Sequence, residues 1–189
     1  YPHSLGFFLD AFASYLSVPR DQISVLAKQG EPTYARMISR SLIDIKPDGS
    51  FCLNQLYFGY AIGESATTQF LHEVLGDPPR QENESFTQKH KNIAASVAAI
   101  IAQAASLLVH AIARDYRGVH NLCVTGRIAQ EDFVRDRILR DHSFDHVNIS
   151  STKGVKASAV GAGLAAYYSH HDNPRDVMFL QNLPTAISR

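Results

Sequence analysis

Apolar residues recur along the chain at helical and strand-like spacings, and the first of these spacings predicts a helix near the start. Ser4 precedes a stripe of residues three and four positions apart, formed by Phe7, Phe8, Ala11, Phe12 and Tyr15. Such spacing places side chains on one helix face, and Pro19 is expected to end this helix. A second helix is predicted to begin near Pro32 and to end near Leu42.

A turn and a strand follow the two predicted helices. The run Lys46-Pro47-Asp48-Gly49 has the residue types of a tight turn, and the aromatic and aliphatic stretch over residues 51–60 predicts a strand behind it. Residues 64–75 are expected to form another short helix, because Gly76-Asp77-Pro78-Pro79 would stop it. Residues 46–60 are therefore expected to form a hairpin or a strand after a turn.

The clearest periodic pattern in the chain predicts a helix of up to roughly 30 residues. Its apolar positions repeat with helical spacing at Ile93, Val97, Ile101, Ala104, Leu108 and Ile112. The preceding run Ser85-Phe86-Thr87-Gln88 has the form of a capping box, with Ser85 as the capping residue. Polar residues interrupt its most apolar part at Ser96, Gln103, Ser106 and His110, so no membrane-spanning segment is predicted.

The second half of the chain alternates strands and helices, with a glycine turn after each strand. The pattern predicts strands over residues 119–124 and 144–149, and helices over residues 128–139 and 157–168. This order is typical of an α/β unit with parallel strands. Ligands of such sheets bind outside the carboxyl ends of the strands, where the turns at Gly126 and Gly154 are expected.

The balance of charged residues bears on which kinds of molecule this protein is expected to bind. The chain has 189 residues, 45% of them hydrophobic, and its 18 basic side chains balance its 18 acidic ones. A net charge of zero gives no electrostatic signal for nucleic acid or an anionic membrane, so a small molecule or a protein is the expected partner. No signal peptide or membrane-spanning segment is recognised in the sequence, so the cytoplasm is the expected location. Cys52 and Cys123 lie in apolar runs, so both are expected to be free and buried.

Several short motifs resemble one enzyme family when they are taken in order. They are Pro2-His3-Ser4-Leu5-Gly6, Gly30-Glu31-Pro32, Leu75-Gly76-Asp77-Pro78-Pro79-Arg80, Ile93-Ala94-Ala95-Ser96, Asn121-Leu122-Cys123-Val124-Thr125-Gly126 and Gly161-Ala162-Gly163-Leu164. With compatible spacing, from Tyr1 to about Tyr168, they are similar to the O-carbamoyltransferases of nodulation and antibiotic tailoring. Residues 20–32 resemble that family's glycine-rich loop.

The resemblance implies an α/β fold of the actin-like, ribonuclease H-like ATPase type, with a mixed sheet and flanking helices. Residues 1–170 would be a fragment of that lobe, and residues 171–189 a C-terminal tail. In the family, a separate domain makes carbamoyl-adenylate from carbamoyl phosphate and ATP. The actin-like domain then passes the carbamoyl group to a substrate hydroxyl, assisted by a metal ion. ATP or carbamoyl-adenylate is thus the implied cofactor, and a small-molecule hydroxyl the implied acceptor.

The resemblance also assigns a cofactor-binding site at the two glycine turns. Its residues are Thr125, Gly126 and Arg127 at the first turn, and Gly154, Lys156 and Ser158 at the second. No catalytic residue and no metal ligand is assigned in this chain.

Several positions depart from the family pattern at these motifs. Arg127 replaces a glycine that lets backbone approach phosphate, Glu131 replaces an asparagine, and Val155 replaces an aspartate that binds the metal. Val25 stands for a glycine and Lys28 for a proline in the first loop. Transfer chemistry is therefore expected to be impaired or lost. The alternative is a pseudoenzyme that binds a partner protein, with the oligomeric state open and a homo-oligomer among the options.

Other chemistry has weaker support. Arg127 and Lys156 are candidates for contact with an anion at helix N-termini, where backbone donors and the dipole favour phosphate; the alternative is that both are solvated surface charges. His142 and His146 are four residues apart, but no third metal ligand has a convincing spacing. His170-His171-Asp172 is expected at a helix end, where a cationic histidine suits the dipole.

Overall fold

The protein is described by a computed structural model that covers residues 2–60, 63, 65–149 and 157–170. It is a mixed α/β structure of helices and two small sheets. The elements in chain order are α1 (Leu5–Tyr15), α2 (Gln22–Ala27), α3 (Ala35–Ser41), β1 (Ile43–Ile45), β2 (Phe51–Leu53), α4 (Gln69–Leu75), α5 (Gln88–Asp115), β3 (Asn121–Val124), α6 (Asp132–Leu139), β4 (His146–Ile149) and α7 (Ala157–His170). Short 3-10 helices occupy Gln55–Tyr57 and Ile128–Gln130.

Helix α1 begins where the sequence predicts it. The Ser4 hydroxyl accepts hydrogen bonds from the backbone N–H groups of Gly6 (3.1 Å) and Phe7 (3.4 Å), which would otherwise lack partners. Most of the predicted apolar stripe is buried, including Phe8 and Phe12, but the Phe7 side chain is exposed. The expectation that Phe7 belongs to the core is therefore wrong.

Residues 20–32 do not form the expected loop, because α2 occupies the centre of this segment. Ile23 and Leu26, both buried, lie three residues apart and therefore on one face of this short helix. The second predicted helix is present as α3 but begins at Ala35 instead of Pro32. Burial of an apolar face thus outweighs the resemblance to a loop in this segment.

The predicted hairpin is confirmed, with a shorter second strand than expected. Strands β1 and β2 are antiparallel, and the turn between them holds Gly49 at a φ of +79°. Strand β2 ends at Leu53 instead of residue 60. The Asn54 side chain accepts the Leu56 N–H at 3.2 Å and so caps a 3-10 helix, which ends the strand.

Helix α5 spans 28 residues, as its periodicity predicts, but a different residue caps it. Thr87, not Ser85, is the N-cap: its hydroxyl accepts the His90 N–H, and His90 Nδ1 accepts the Thr87 N–H at 3.2 Å. The apolar face is buried from Ile93 to Val109. Leu108 and Ile112 are 36% and 39% exposed, so the predicted core face does not reach the end of the helix.

Helix α5 is the centre of the described structure. Helices α1, α2, α3 and α6 all contact it. By length and composition alone it could cross a membrane, yet 61% of its most apolar window is buried within the protein. This burial is what a core helix requires.

Two glycines allow other segments to approach the backbone of α5. A Cβ atom at Gly30 would lie 2.1 Å from the Lys91 carbonyl oxygen, and one at Gly49 would lie 2.3 Å from the Leu108 nitrogen. Because both obstacles are backbone atoms, neither position can accept a side chain without moving a whole element.

A buried arginine ties the linker before α5 to the end of α1. The Arg80 side chain donates to the carbonyl oxygens of Leu16 (2.6 Å), Ser17 (2.8 Å) and Glu84, and its backbone N–H donates to Tyr15 (2.9 Å). Helix carbonyls at a C-terminus lack internal partners and favour a cation. The linker is therefore held against α1 by these bonds.

The predicted parallel strand pair is confirmed. Strands β3 and β4 pair in parallel with α6 between them in sequence, although each is shorter at its start than predicted.

Cys123 in β3 and Cys52 in β2 are both free, but both are exposed, so the expectation of buried thiols is wrong. In short strands with one covered face, alternate residues point to solvent whatever their hydropathy. The predicted tail, residues 171–189, lies outside the described residues.

We expect Gly30→Ala to lower the free energy of unfolding by about 1–3 kcal/mol, because the segment after α2 and helix α5 must separate to admit the new methyl group. Urea denaturation followed by circular dichroism measures this. Gly161→Ala is the control: no described atom lies within 4 Å of its Cβ position in α7, so stability should change by less than about 1 kcal/mol. An unchanged midpoint for Gly30→Ala would contradict the close approach.

Candidate functional site

The two parallel strands end at the same edge of their sheet. Val124 pairs with Ile149, the last residue of each strand, so the chain leaves β3 and β4 side by side. Thr125, Gly126 and Arg127 follow β3 directly, and all are exposed. Gly126 has a φ of +107°, in the region that favours glycine, and no described atom lies within 4 Å of its Cβ position. The glycine is therefore needed for backbone conformation and not for space.

This turn opens on a cleft of about 420 Å³ whose opposite wall is the first part of α1. Its lining residues are Ser4, Gly6, Phe7, Asp10, Arg20, Thr125, Gly126, Arg127 and Ile128. The first predicted turn is thus brought together with residues more than a hundred positions away. The cleft has hydroxyl groups, backbone amides and two guanidinium groups within it or on its rim.

Arg20 is the inner cation of this cleft, and two carboxylates hold it. Its Nη1 lies 3.1 Å from Asp10 Oδ1, and its Nε lies 3.1 Å from Glu131 Oε1. Its Nη2 is buried without a hydrogen-bond partner among the described residues. One positive charge therefore faces two negative ones, which leaves the inner cleft without surplus positive charge.

Glu131 is almost as buried as its partner, with 11% of the side chain exposed against 13% for Arg20. Burial raises the pKa of Glu131, and the adjacent Arg20 guanidinium opposes that rise. The position at which the resemblance implies a neutral asparagine is therefore occupied by a carboxylate that compensates the charge of Arg20.

Lys28, where the resemblance implies a proline, also forms an ion pair with α6. Lys28, just after α2, forms an ion pair with Asp132 at the start of α6, with 3.0 Å between Nζ and Oδ2. Together with the Arg20–Glu131 pair, it connects the residues that flank α2 to the start of α6 through two ion pairs. Arg20 was missed in the sequence, because Arg20 and Glu131 are 111 positions apart and no local pattern marks them as partners.

The remaining predicted site residues fall in different places. Arg127 precedes a 3-10 helix, not an α-helix, and α6 begins at Asp132 with Glu131 as its N-cap. Arg127 therefore does not stand at an α-helix N-terminus, and the N-terminus of α6 holds the carboxylates of Glu131 and Asp132. Anion binding by Arg127 stays a prediction. Ser158 lies in the first turn of α7. Gly154 and Lys156 lie outside the described residues, so the distance between the two turns is not defined.

Metal-binding alternatives gain no support from the geometry. Across residues 2–60, 63, 65–149 and 157–170, no three His, Cys, Asp or Glu side chains come close enough to hold a metal ion. His142 lies in the loop before β4, and His146 is the first residue of that strand. His170 ends α7, while residues 171 and 172 are outside the described part. Val155, which the resemblance places at a metal-binding position, has no ligating atom and lies outside the described residues.

A separate polar cluster joins α5 to the loop before β4. The Asp141 side chain is 5% exposed, accepts bonds from the Ser143 N–H (3.1 Å) and from the Ser143 and Ser106 hydroxyls, and lies 3.4 Å from His110 Nε2. Burial alone would raise the pKa of Asp141, but these hydrogen bonds and His110 hold it below its ordinary value of 3.8. These contacts hold the loop before β4 against helix α5.

Comparison with known proteins gives two similarities. The model of a family described as the carbamoyltransferase N-terminus matches residues 1–164. An uncharacterized protein of Synechocystis sp. is 32% identical over 181 residues, a match that covers 94% of this chain. The same match covers 29% of the Synechocystis protein, so the chain spans less than a third of that relative's length.

Asp141→Asn is expected to lower the free energy of unfolding at pH 7 by about 1–2 kcal/mol, because the charged hydrogen-bond acceptor is lost. A carboxyl whose folded pKa is lowered stabilises the fold above its unfolded pKa and loses that effect as pH falls through the folded pKa. The difference from wild type should therefore shrink below about pH 4. Urea denaturation at pH 7, 5 and 3.5 measures it.

Asp145→Asn is the control for this pH series, because Asp145 pairs with His120 on the surface with both side chains more than two-thirds exposed. It should change stability little at any of the three pH values. Equal effects of the two substitutions at pH 7 would contradict the role assigned to Asp141.

Proposed function

Because the chain belongs to the carbamoyltransferase N-terminal family, we propose that it forms part of the lobe that holds the adenylate end of carbamoyl-adenylate. The match covers 29% of the Synechocystis relative, so the activity of a whole carbamoyltransferase is assigned to this chain only as a proposal. The acceptor in that activity would be a small-molecule hydroxyl, with the carbamoyl group as the group transferred.

The cleft beside β3 is the observation that carries this proposal. A parallel strand, a glycine turn at Gly126 and a following helical turn present backbone amides at the sheet edge where α/β proteins bind ligands. The Thr125 hydroxyl and the Arg127 guanidinium are suitable donors for phosphate oxygens. An actin-like ATPase-type lobe would contain such a strand, turn and helix unit, and we include that fold in the proposal.

Impaired chemistry is the second part of the proposal. The Glu131 carboxylate offsets the charge of Arg20, which weakens the attraction of the cleft for an anionic ligand. Val155 cannot bind the metal that the family uses. We therefore propose that this chain binds adenylate weakly and does not transfer the carbamoyl group by itself.

A pseudoenzyme that binds a partner protein is a second candidate. Two residues that replace the family's residues favour this candidate. Glu131 forms an ion pair with Arg20, just before α2, and Lys28, just after α2, forms one with Asp132 in α6. Such pairs are useful to a stable scaffold and are not required for nucleotide binding. On this hypothesis the cleft has no ligand, and a cytoplasmic partner protein or a second copy of the chain binds elsewhere.

Removing the Glu131 charge is expected to strengthen nucleotide binding. Glu131→Gln leaves Arg20 opposed by Asp10 alone, so the inner cleft becomes more positive by one charge. At roughly 1 kcal/mol for one partly screened charge, affinity for ADP should rise about threefold to tenfold. Isothermal titration calorimetry of the chain with ADP and AMP measures the change, with circular dichroism to confirm folding. Asp10→Asn should act in the same direction and gives a second route if Glu131→Gln is unstable.

The matched control is Asp132→Asn, which makes the same change in net charge at the next position in sequence. Asp132 pairs with Lys28, whereas Glu131 pairs with the cleft residue Arg20. Asp132→Asn should leave ADP affinity within a factor of two of wild type. If no binding heat is seen at millimolar ADP for wild type, Glu131→Gln and Asp10→Asn alike, the nucleotide proposal fails and the pseudoenzyme candidate gains support.

A further inference from the structure

A second groove lies between α2 and α6, on the surface of the helix that both of them contact. Helices α2 and α6 each pack against α5, and the small side chains of Ala95 and Ala98 in α5 line the space between them. The groove has a volume of about 310 Å³ and shares no lining residue with the cleft beside β3. Its lining residues are Ser24, Ala27, Lys28, Gly30, Pro32, Ala95, Ala98, Asp132, Phe133 and Asp136.

One polar side chain of this groove is buried without a hydrogen-bond partner. Ser24 is 8% exposed, and its hydroxyl oxygen has no partner among the described residues. Burial raises the pKa of Glu131 and the nearby Ser24 hydroxyl opposes that rise, but the two groups form no hydrogen bond of ordinary geometry. A buried hydroxyl without a partner is costly, so a ligand that supplies one gains affinity at this position.

The other side chains of the groove define the rest of its ligand. Apolar side chains suited to an apolar ligand body are contributed by Ala27, Ala95, Ala98 and Phe133. Lys28 is already paired with Asp132 at 3.0 Å. The carboxylate of Asp136 is 3.9 Å from Arg140 Nη2, too far for a hydrogen bond, and its side chain is 59% exposed. The charged residues that line the groove therefore sum to one negative charge, which suits a cationic ligand.

We propose that this groove binds a small apolar amine that carries a hydroxyl group at the end opposite its ammonium group. The ammonium lies beside Asp136, the apolar body lies against the alanines and Phe133, and the hydroxyl forms a hydrogen bond with Ser24. Binding is reversible and forms no covalent bond. The site is independent of the adenylate proposed for the other cleft, because the two share no lining residue.

The experiment compares three ligands of similar shape on the wild-type chain. Tyramine has both polar groups, phenethylamine lacks the phenolic hydroxyl, and tyrosol has an alcohol in place of the amine. Each is titrated into isotope-labelled protein at pH 7, and amide chemical shifts give the site and the Kd. Tyramine should shift the amides of Ser24, Ala98 and Phe133 with a Kd on the order of 1 mM. It should bind about threefold to tenfold more tightly than either analogue, from one hydrogen bond or one partly screened charge.

Equal affinities of the three ligands would overturn the proposal. The same holds if the three amides show no shift at about 10 mM tyramine.

Two substitutions test the groups assigned to the ligand. Ser24→Ala should weaken tyramine about threefold to tenfold and leave phenethylamine within about twofold, because only tyramine loses a hydrogen bond. Asp136→Asn should weaken both amines about threefold to tenfold and leave tyrosol unchanged. Asp145→Asn is the matched control, since it makes the same change in net charge at a residue that pairs with His120 and does not line the groove.

Circular dichroism confirms that each variant is folded. If Ser24→Ala weakens tyramine and phenethylamine equally, or if Asp136→Asn acts no more strongly than Asp145→Asn, the assignment is refuted. The ligand comparison on the wild-type chain decides the question if a variant does not fold.

Discussion

Burial of α5 is the constraint on which the rest of the described structure depends. Helices α1, α2, α3 and α6 contact this one helix, and the hairpin turn lies against its backbone at Leu108. The small side chains along α5, with glycine at Gly30 and Gly49 on the opposing segments, permit these approaches. Close packing against a common helix leaves each neighbour little freedom to shift.

The candidate site is a consequence of this arrangement. Helix α1 and helix α6 are far apart in sequence, but both contact α5, which sets one near the other. The cleft lies between the first turn of α1 and the segment from Thr125 to Ile128 that leads toward α6. Arg20 bridges the two sides through Asp10 in α1 and Glu131 at the start of α6. The same ion pairs that connect the two sides also offset the charge of Arg20, so the Glu131 ion pair opposes the anion binding that we propose.

Where the sequence predictions succeeded, the signal was local. The cap of α1 at Ser4, the turn at Gly49, the long periodic helix α5 and the parallel pair β3 and β4 all follow from neighbouring residues. Where they failed, a distant contact or a competing local bond decided the outcome. Helix α2 formed where a loop was expected because Ile23 and Leu26 are buried, and Thr87 replaced Ser85 as the cap of α5 through its exchange of bonds with His90. The cysteines proved exposed because strand alternation, not hydropathy, directs each side chain.

The sequence by itself determined most of the helices and strands, the order of the β3, α6 and β4 unit, and the turn that contributes Thr125, Gly126 and Arg127 to the cleft. Periodicity, caps and glycine turns act within a few residues, so they can be recognised without coordinates. The tertiary structure alone decided that Arg20 is held by Asp10 and Glu131, and that the His3 imidazole contacts Cys52. These contacts join residues 10, 111 and 49 positions apart, and the physical reason they form is the packing of their helices and strands, which no short sequence pattern encodes.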